Sequence, residues 1–260
     1  MKKLLLILVG FFLFSCSTVP ISHRKQMHLV NESNLINMAD QHYAYFMDSV
    51  GYLPNTDSRA RRITEIGNKV SDAAEKFLNE NGYAHRLDNF SWSFKTVDDP
   101  TINAWCMPGG KVCFYTGLVE LADNDDQLAA VMGHEIAHAV AKHGNERMSQ
   151  QLAVAGIASL ATMSQSENSQ ANSIFDLVFR GTTTLGMLKF SRVHETESDK
   201  MGLVFMKLAG YNPYEAISFW EKMAQNGASI PQILSTHPSD ETRISDIKDF
   251  IENDLAKYVK

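Results

Sequence analysis

His134-Glu135-Ile136-Ala137-His138 lies inside a run, 126–143, that carries apolar residues at helical spacing. Leu128, Val131, Met132, Ala139 and Val140 make the stripe. Asp123 to Asp126 supply acidic residues for a cap and first turn, and Gly144 stands where a helix is expected to stop. Residues four apart on a helix share a face, so His134 and His138 can turn ring nitrogens toward one metal ion. Glu135 then falls beside that ion rather than on it, suited to take a proton from a water there. The pattern has the mechanics of zinc-assisted peptide hydrolysis. The plainer reading, two histidines on a helix by chance, loses ground as the remaining chain is added.

Working outward, 260 residues with 44% hydrophobic and 21% charged content are enough for one sizeable core. The formal net charge of -6 provides no basic field, so nucleic acid is not expected as a partner. Lys2 and Lys3 precede an apolar run, Leu4 to Phe14, too short for a permanent bilayer span. Leu13-Phe14-Ser15-Cys16 follows and resembles a bacterial lipobox, with Phe14 bulkier than usual at its position. The expected organisation is a lipoprotein signal peptide over residues 1–15, a lipid-anchored tether over 16–30 and a catalytic domain over 31–260. Acyl chains on Cys16 would hold the mature chain on a membrane surface. A plain signal peptide cut near Ser15 is the alternative.

Two amphipathic helices are predicted next, Leu29 to about Val50 and Asp57 to about Asn79, separated by Gly51 and Pro54. From Phe90 to Val97 the period changes to two, which predicts a half-buried strand. Asn103 to Thr116 reads as two strands about Gly109-Gly110. A small antiparallel sheet beside the histidine helix is therefore expected. Its edge, at Asn103, Ala104 and Trp105, offers a place where an extended peptide adds itself as a further strand. A tight two-residue turn would set Cys106 opposite Cys113, and a disulfide between them is left open. Residues 152–163 are small and apolar, fitting either close packing over the helix or a membrane-dipping or substrate-gating element.

A catalytic zinc needs a third protein ligand. Ser191 to Asp199 opens a helix on which Glu195 and Asp199 are four apart. Glu195 is the expected ligand, and Asp199 the acceptor for the far nitrogen of a ligating histidine. Glu197 is expected to be solvated, and His194 is the competing ligand. Further helices are predicted from Asn212 to about Gln225 and, after His237-Pro238, through Arg243 to Leu255. Pro238 holds His237 in extended backbone, so His237 should project from a loop, either as an oxyanion donor or as a removable fourth ligand.

These motifs resemble the HtpX-like and CAAX-prenyl-protease family of zinc metallopeptidases, within its periplasmic lipoprotein branch of LoiP-like and BepA-like enzymes. Asn103-Ala104-Trp105 with Pro108-Gly109-Gly110, His134-Glu135-x-x-His138, Glu195-x-x-x-Asp199, and His237-Pro238 followed by Arg243 occur in that family's order. The resemblance covers about Asp57 to Ile251. It implies a mostly helical α+β, gluzincin-type fold with one zinc ion held by His134, His138 and Glu195. It also implies Glu135 as general base, Asp199 behind the ligands, and His237 and Arg243 at the reacting centre. Long hydrophobic spans and a helical-repeat domain, known in some members, have no counterpart in the motifs read here. The expected function is endoproteolysis of misfolded or unassembled proteins in the bacterial envelope, from an outer-membrane anchor facing the periplasm, with outer-membrane assembly factors as possible partners. A metal-stabilised, chaperone-like binding lipoprotein is the rival. Glu135 argues against it, because metal binding alone has no use for that carboxylate.

Overall fold

The computed structural model describes residues 16–154, 190–225, 233, 237 and 241–259. The signal-peptide stretch, most of the 152–163 segment and Pro238 lie outside the described residues. At the centre are three helices, α2 (Ser58–Glu80), α4 (Asp125–Val140) and α6 (Arg192–Leu208). Helix α4 starts where Asn124 accepts a hydrogen bond from the backbone N–H of Gln127, with Asp125 and Asp126 in the first turn. From Gln127 to Val140 every residue of α4 is buried. Ile63, Ile66, Val70, Ala74 and Phe77 of α2 pack into the same core.

Helices α4 and α6 touch backbone to backbone. A Cβ built on Gly133 would stand 2.7 Å from the carbonyl oxygen of Gly202, and one on Gly202 would stand 2.8 Å from the Gly133 carbonyl carbon. Only glycine at both positions permits that approach. The contact sets His134, the next residue on α4, against the Glu195–Asp199 turn of α6. It was not anticipated from sequence, because a glycine inside a helical pattern carries no label for its partner.

Strands β3 (Ser93–Val97), β4 (Ala104–Met107) and β5 (Lys111–Tyr115) form a sheet in the order β3-β5-β4. It is mixed, which corrects the antiparallel expectation: β4 pairs antiparallel with β5, but β3 pairs parallel with it. The loop after Val97 carries the chain past the sheet before β4 begins, so the hairpin returns β5 to the middle. Pro108, Gly109 and Gly110 separate the paired residues Met107 and Lys111. This three-residue turn shifts the register by one. Cys113 pairs with Trp105 and Cys106 with Val112, so the two cysteines occupy opposite faces and remain free.

Residues 16–30, read as a tether, contain a short hairpin. Cys16–Thr18 (β1) and Lys25–Met27 (β2) pair as an antiparallel hairpin. Val19 is fully buried and Gln26 nearly so. The buried Arg86 donates to the carbonyls of Thr18 and Val140 and to Gln26, tying this hairpin to the end of α4.

Helix α4 also ends earlier than Gly144. Lys142 takes a left-handed φ of 58°, unusual for a side chain with a Cβ, and α5 (His143–Val154) starts immediately after it. The reversal folds His143 back toward His138. Helices α1 (Glu32–Val50), α3 (Thr116–Leu121), α7 (Glu215–Gln225) and α8 (Glu241–Asn253) complete the fold. Among the described residues no helix is long and apolar enough to cross a membrane.

Candidate metal centre

Four side chains converge where α4 crosses α6. His134, His138, Glu195 and His237 are all buried, and each offers one ligand atom such that these atoms lie within 4.8 Å of one another. Nε2 of His134 is 3.0 Å from Nε2 of His138 and 3.1 Å from Nδ1 of His237. Glu195 Oε1 is 3.1 Å from Nδ1 of His237 and 3.4 Å from Nε2 of His138. Zinc bonds to nitrogen of about 2.0–2.1 Å arranged tetrahedrally require ligand atoms about 3.3 Å apart. The observed separations fit that cage, and imidazole with carboxylate is a donor set that zinc accepts.

The electrostatics of the cluster also favour a cation at its centre. Burial opposes ionisation of Glu195, but His237, His134 and His138 outweigh it and hold the carboxyl well below the usual range. Burial likewise opposes charge on His134, yet Asp199 and Glu195 lift it to about 9. His138 is pushed down, chiefly by burial. Glu195 is thereby favoured as the anion and His138 as the neutral ring, the forms in which each offers a lone pair to a metal ion.

Glu135 is buried beside the cluster; its Oε1 lies 3.6 Å from Nε2 of His237 and has no hydrogen-bond partner among the described residues. Burial raises its pKa above the ordinary carboxylate value. Asp199 places Oδ1 2.9 Å from Nδ1 of His134, on the side of the ring away from the cluster. Arg243 donates to both oxygens of Asp199 at 2.8 Å, lies 3.3 Å from Glu195 and stacks 3.6 Å over the ring of Trp220. It is 5% exposed. Its guanidinium thus faces the two carboxylates and the Trp220 ring. Trp220 packs edge-on against His134, ring centroids 5.9 Å apart.

A cleft opens in front of Glu135, His138 and His237, with Asn103 to Pro108 along one wall and Arg147 and Phe190 along another. Strand β4 is an edge strand of its sheet, so its outer side borders this cleft. Asn103 and Ala104 are buried, while Trp105 is half-buried against Tyr43 and Phe46.

Several neighbours of the cluster went unread in the sequence. His143 places Nδ1 3.0 Å from Nδ1 of His138 and Nε2 3.0 Å from Glu197. Glu197 is therefore buried and paired, where a solvated side chain was expected; Arg24, from the turn between β1 and β2, also pairs with it at 2.9 Å. Arg24 grips Glu146 as well, at 2.7 and 2.8 Å. Burial brings the His143 imidazole down to about 4, against the pull of Glu197, so it is neutral near pH 7. His194 lies outside the cluster, stacked on His143 and bonded to Glu146 at 3.1 Å. Nothing in the spacing of Arg24, His143 and Glu197 announces this meeting, which depends on the Lys142 reversal and the N-terminal hairpin.

A buried three-histidine, one-carboxylate cluster, with a further carboxylate beside it and a cleft along a strand edge, defines a metallopeptidase centre. Comparison with known proteins agrees. The model of peptidase family M48 matches residues 58–251. The mitochondrial metalloendopeptidase OMA1 of Schizosaccharomyces pombe is 32% identical over 244 residues, which cover 92% of this chain and 67% of that protein. The OMA1 of Saccharomyces cerevisiae is 29% identical over 265 residues, covering 96% and 74%. The β-barrel assembly-enhancing protease of Escherichia coli is 27% identical over 232 residues; these are 78% of this chain but 48% of that longer protein. The chain belongs to peptidase family M48. It is a zinc metalloendopeptidase acting on protein substrates.

Proposed function

We propose that the enzyme cuts misfolded or unassembled proteins of the bacterial envelope, using His134, His138 and Glu195 as zinc ligands and Glu135 as general base. The convergence of four ligand atoms next to the unpartnered carboxylate oxygen of Glu135 carries this reading. Zinc, when bound, supplies Lewis acidity that polarises a peptide carbonyl and makes water acidic near neutral pH. Glu135 takes the proton of the attacking water and hands it to the departing amine. Its burial favours the first of these transfers, because a raised pKa makes the carboxylate a stronger base. Asp199, gripped by Arg243, fixes the His134 tautomer with Nε2 free for metal. The outer edge of β4 receives an extended substrate by main-chain hydrogen bonds. Such recognition reads backbone rather than side chains, which suits unfolded clients of varied sequence.

His237 serves in the resting enzyme as a fourth ligand, since Nδ1 reaches His134 and Glu195 as closely as those groups approach their other neighbours. Its displacement opens the position that water and substrate need. The lipobox-like stretch ending at Cys16 and the likeness to a β-barrel assembly-enhancing protease support an envelope location with a lipid anchor. The test is incubation of the purified chain with an unfolded outer-membrane protein and a folded control, with and without a chelator. Chelator-sensitive cleavage confined to the unfolded protein is expected. Binding without cleavage in zinc-loaded enzyme would favour the chaperone-like alternative.

A further inference from the structure

Two separate chains of hydrogen bonds leave the metal cluster from two of its histidines, His134 and His138. Behind His134 stands Asp199, gripped by Arg243. Behind His138 stands a second imidazole, His143, followed by Glu197 and then Arg24. Arg24 lies outside the stretch that matches the family, which begins at residue 58.

We infer that Arg24 and His143 are positioning residues for the zinc ligand His138, so that the N-terminal hairpin is a working part of the metal centre. The inference rests on the ligand assignment made above. Proton placement along the chain allows one consistent arrangement. With Nε2 of His138 facing the cluster, its Nδ1 carries the proton and donates to Nδ1 of His143. His143 then carries its own proton on Nε2 and donates to Oε2 of Glu197. Glu197 is the acceptor there. Arg24 secures this by donating from Nε to Oε1 and from Nη2 to Oε2, both at 2.9 Å, while Ser22 donates its hydroxyl to Oε1. Arg24 is itself fixed from the other side by Glu146, which Gln26 of β2 and His194 also bond. A single imidazole tautomer, chosen at the metal, is thus held by a guanidinium three links away. Neutral His143 gives its partner less negative charge than Asp199 gives His134, so the two ligands are not electronically equivalent.

The experiment measures zinc affinity of the purified full chain by competition with a coloured chelator, together with the melting temperature of the metal-free protein. Arg24 has a side chain 28% exposed, so Arg24→Met is expected to fold. It should weaken zinc by about 3–10-fold, and His143→Leu by about 10–100-fold, the range found when groups behind a ligand are removed. The Arg24→Met/His143→Leu double variant should bind no more weakly than His143→Leu alone, because both act along one chain. Arg24→Met combined with Asp199→Asn should instead multiply the two losses. Zinc affinity of Arg24→Met within twofold of wild type, even with a lowered melting temperature, would overturn the inference; so would multiplied losses in the first pair. Undiminished zinc binding by His138→Ala would instead strike the ligand assignment beneath it.

Discussion

Glu135→Gln keeps the size and burial of the side chain and removes its capacity to take a proton. Hydrolysis should fall by about 10²–10⁴-fold while zinc content stays at one ion per chain, as read by a casein assay and metal analysis. Glu195→Ala should lose the metal, whereas His194→Ala should retain it, because His194 is turned toward His143 and Glu146. Asp199→Ala should weaken zinc by about 10–100-fold. For His237→Ala, activity should persist or rise while the visible spectrum of the cobalt-substituted enzyme changes. Lost turnover with an unchanged spectrum would reassign His237 to the oxyanion. At this scale the sequence was informative wherever one element carried a spaced pair, as in His134/His138 and Glu195/Asp199. Glu197 was misread because its face of α6 borders the N-terminal hairpin, an element whose three-residue strands are too short to show alternation.

Among the elements, the crossing of α4 with α6 has the narrowest tolerance. Gly133→Ala or Gly202→Ala puts a methyl group into the neighbouring backbone, where no side chain can yield. Each should cost about 1–3 kcal/mol in denaturant unfolding of the metal-free protein. Each should also weaken zinc binding, since the helix carrying Glu195 must back away from His134. Unchanged zinc affinity alongside lost stability would show that the site tolerates a wider crossing. The long helices were legible because their stripes and breakers are strong. The mixed sheet was not, because strand patterns report which faces are buried and say nothing about direction. Nor was the break at Lys142, which relies on a non-glycine residue in left-handed backbone.

For the molecule as a whole, the N-terminal hairpin joins the candidate anchor to the site. Strand β1 begins at residue 16 and is packed against the domain through Val19, Gln26 and Arg86. Cys16→Ala should release the chain from the membrane fraction and abolish fatty-acid labelling. Labelling that survives the substitution would remove the lipobox reading. Zinc affinity should be unaffected, because Arg24 and its partners remain. Trp220 offers a way to follow such changes. It contacts His134 on one side and Arg243 on the other, whereas Trp92 is hydrogen-bonded to Glu75 and Trp105 lies along the cleft. The indole against His134 is therefore a native fluorophore at the metal. Entry of a paramagnetic ion should quench its emission in proportion to occupancy, giving an optical titration of the centre without an added dye.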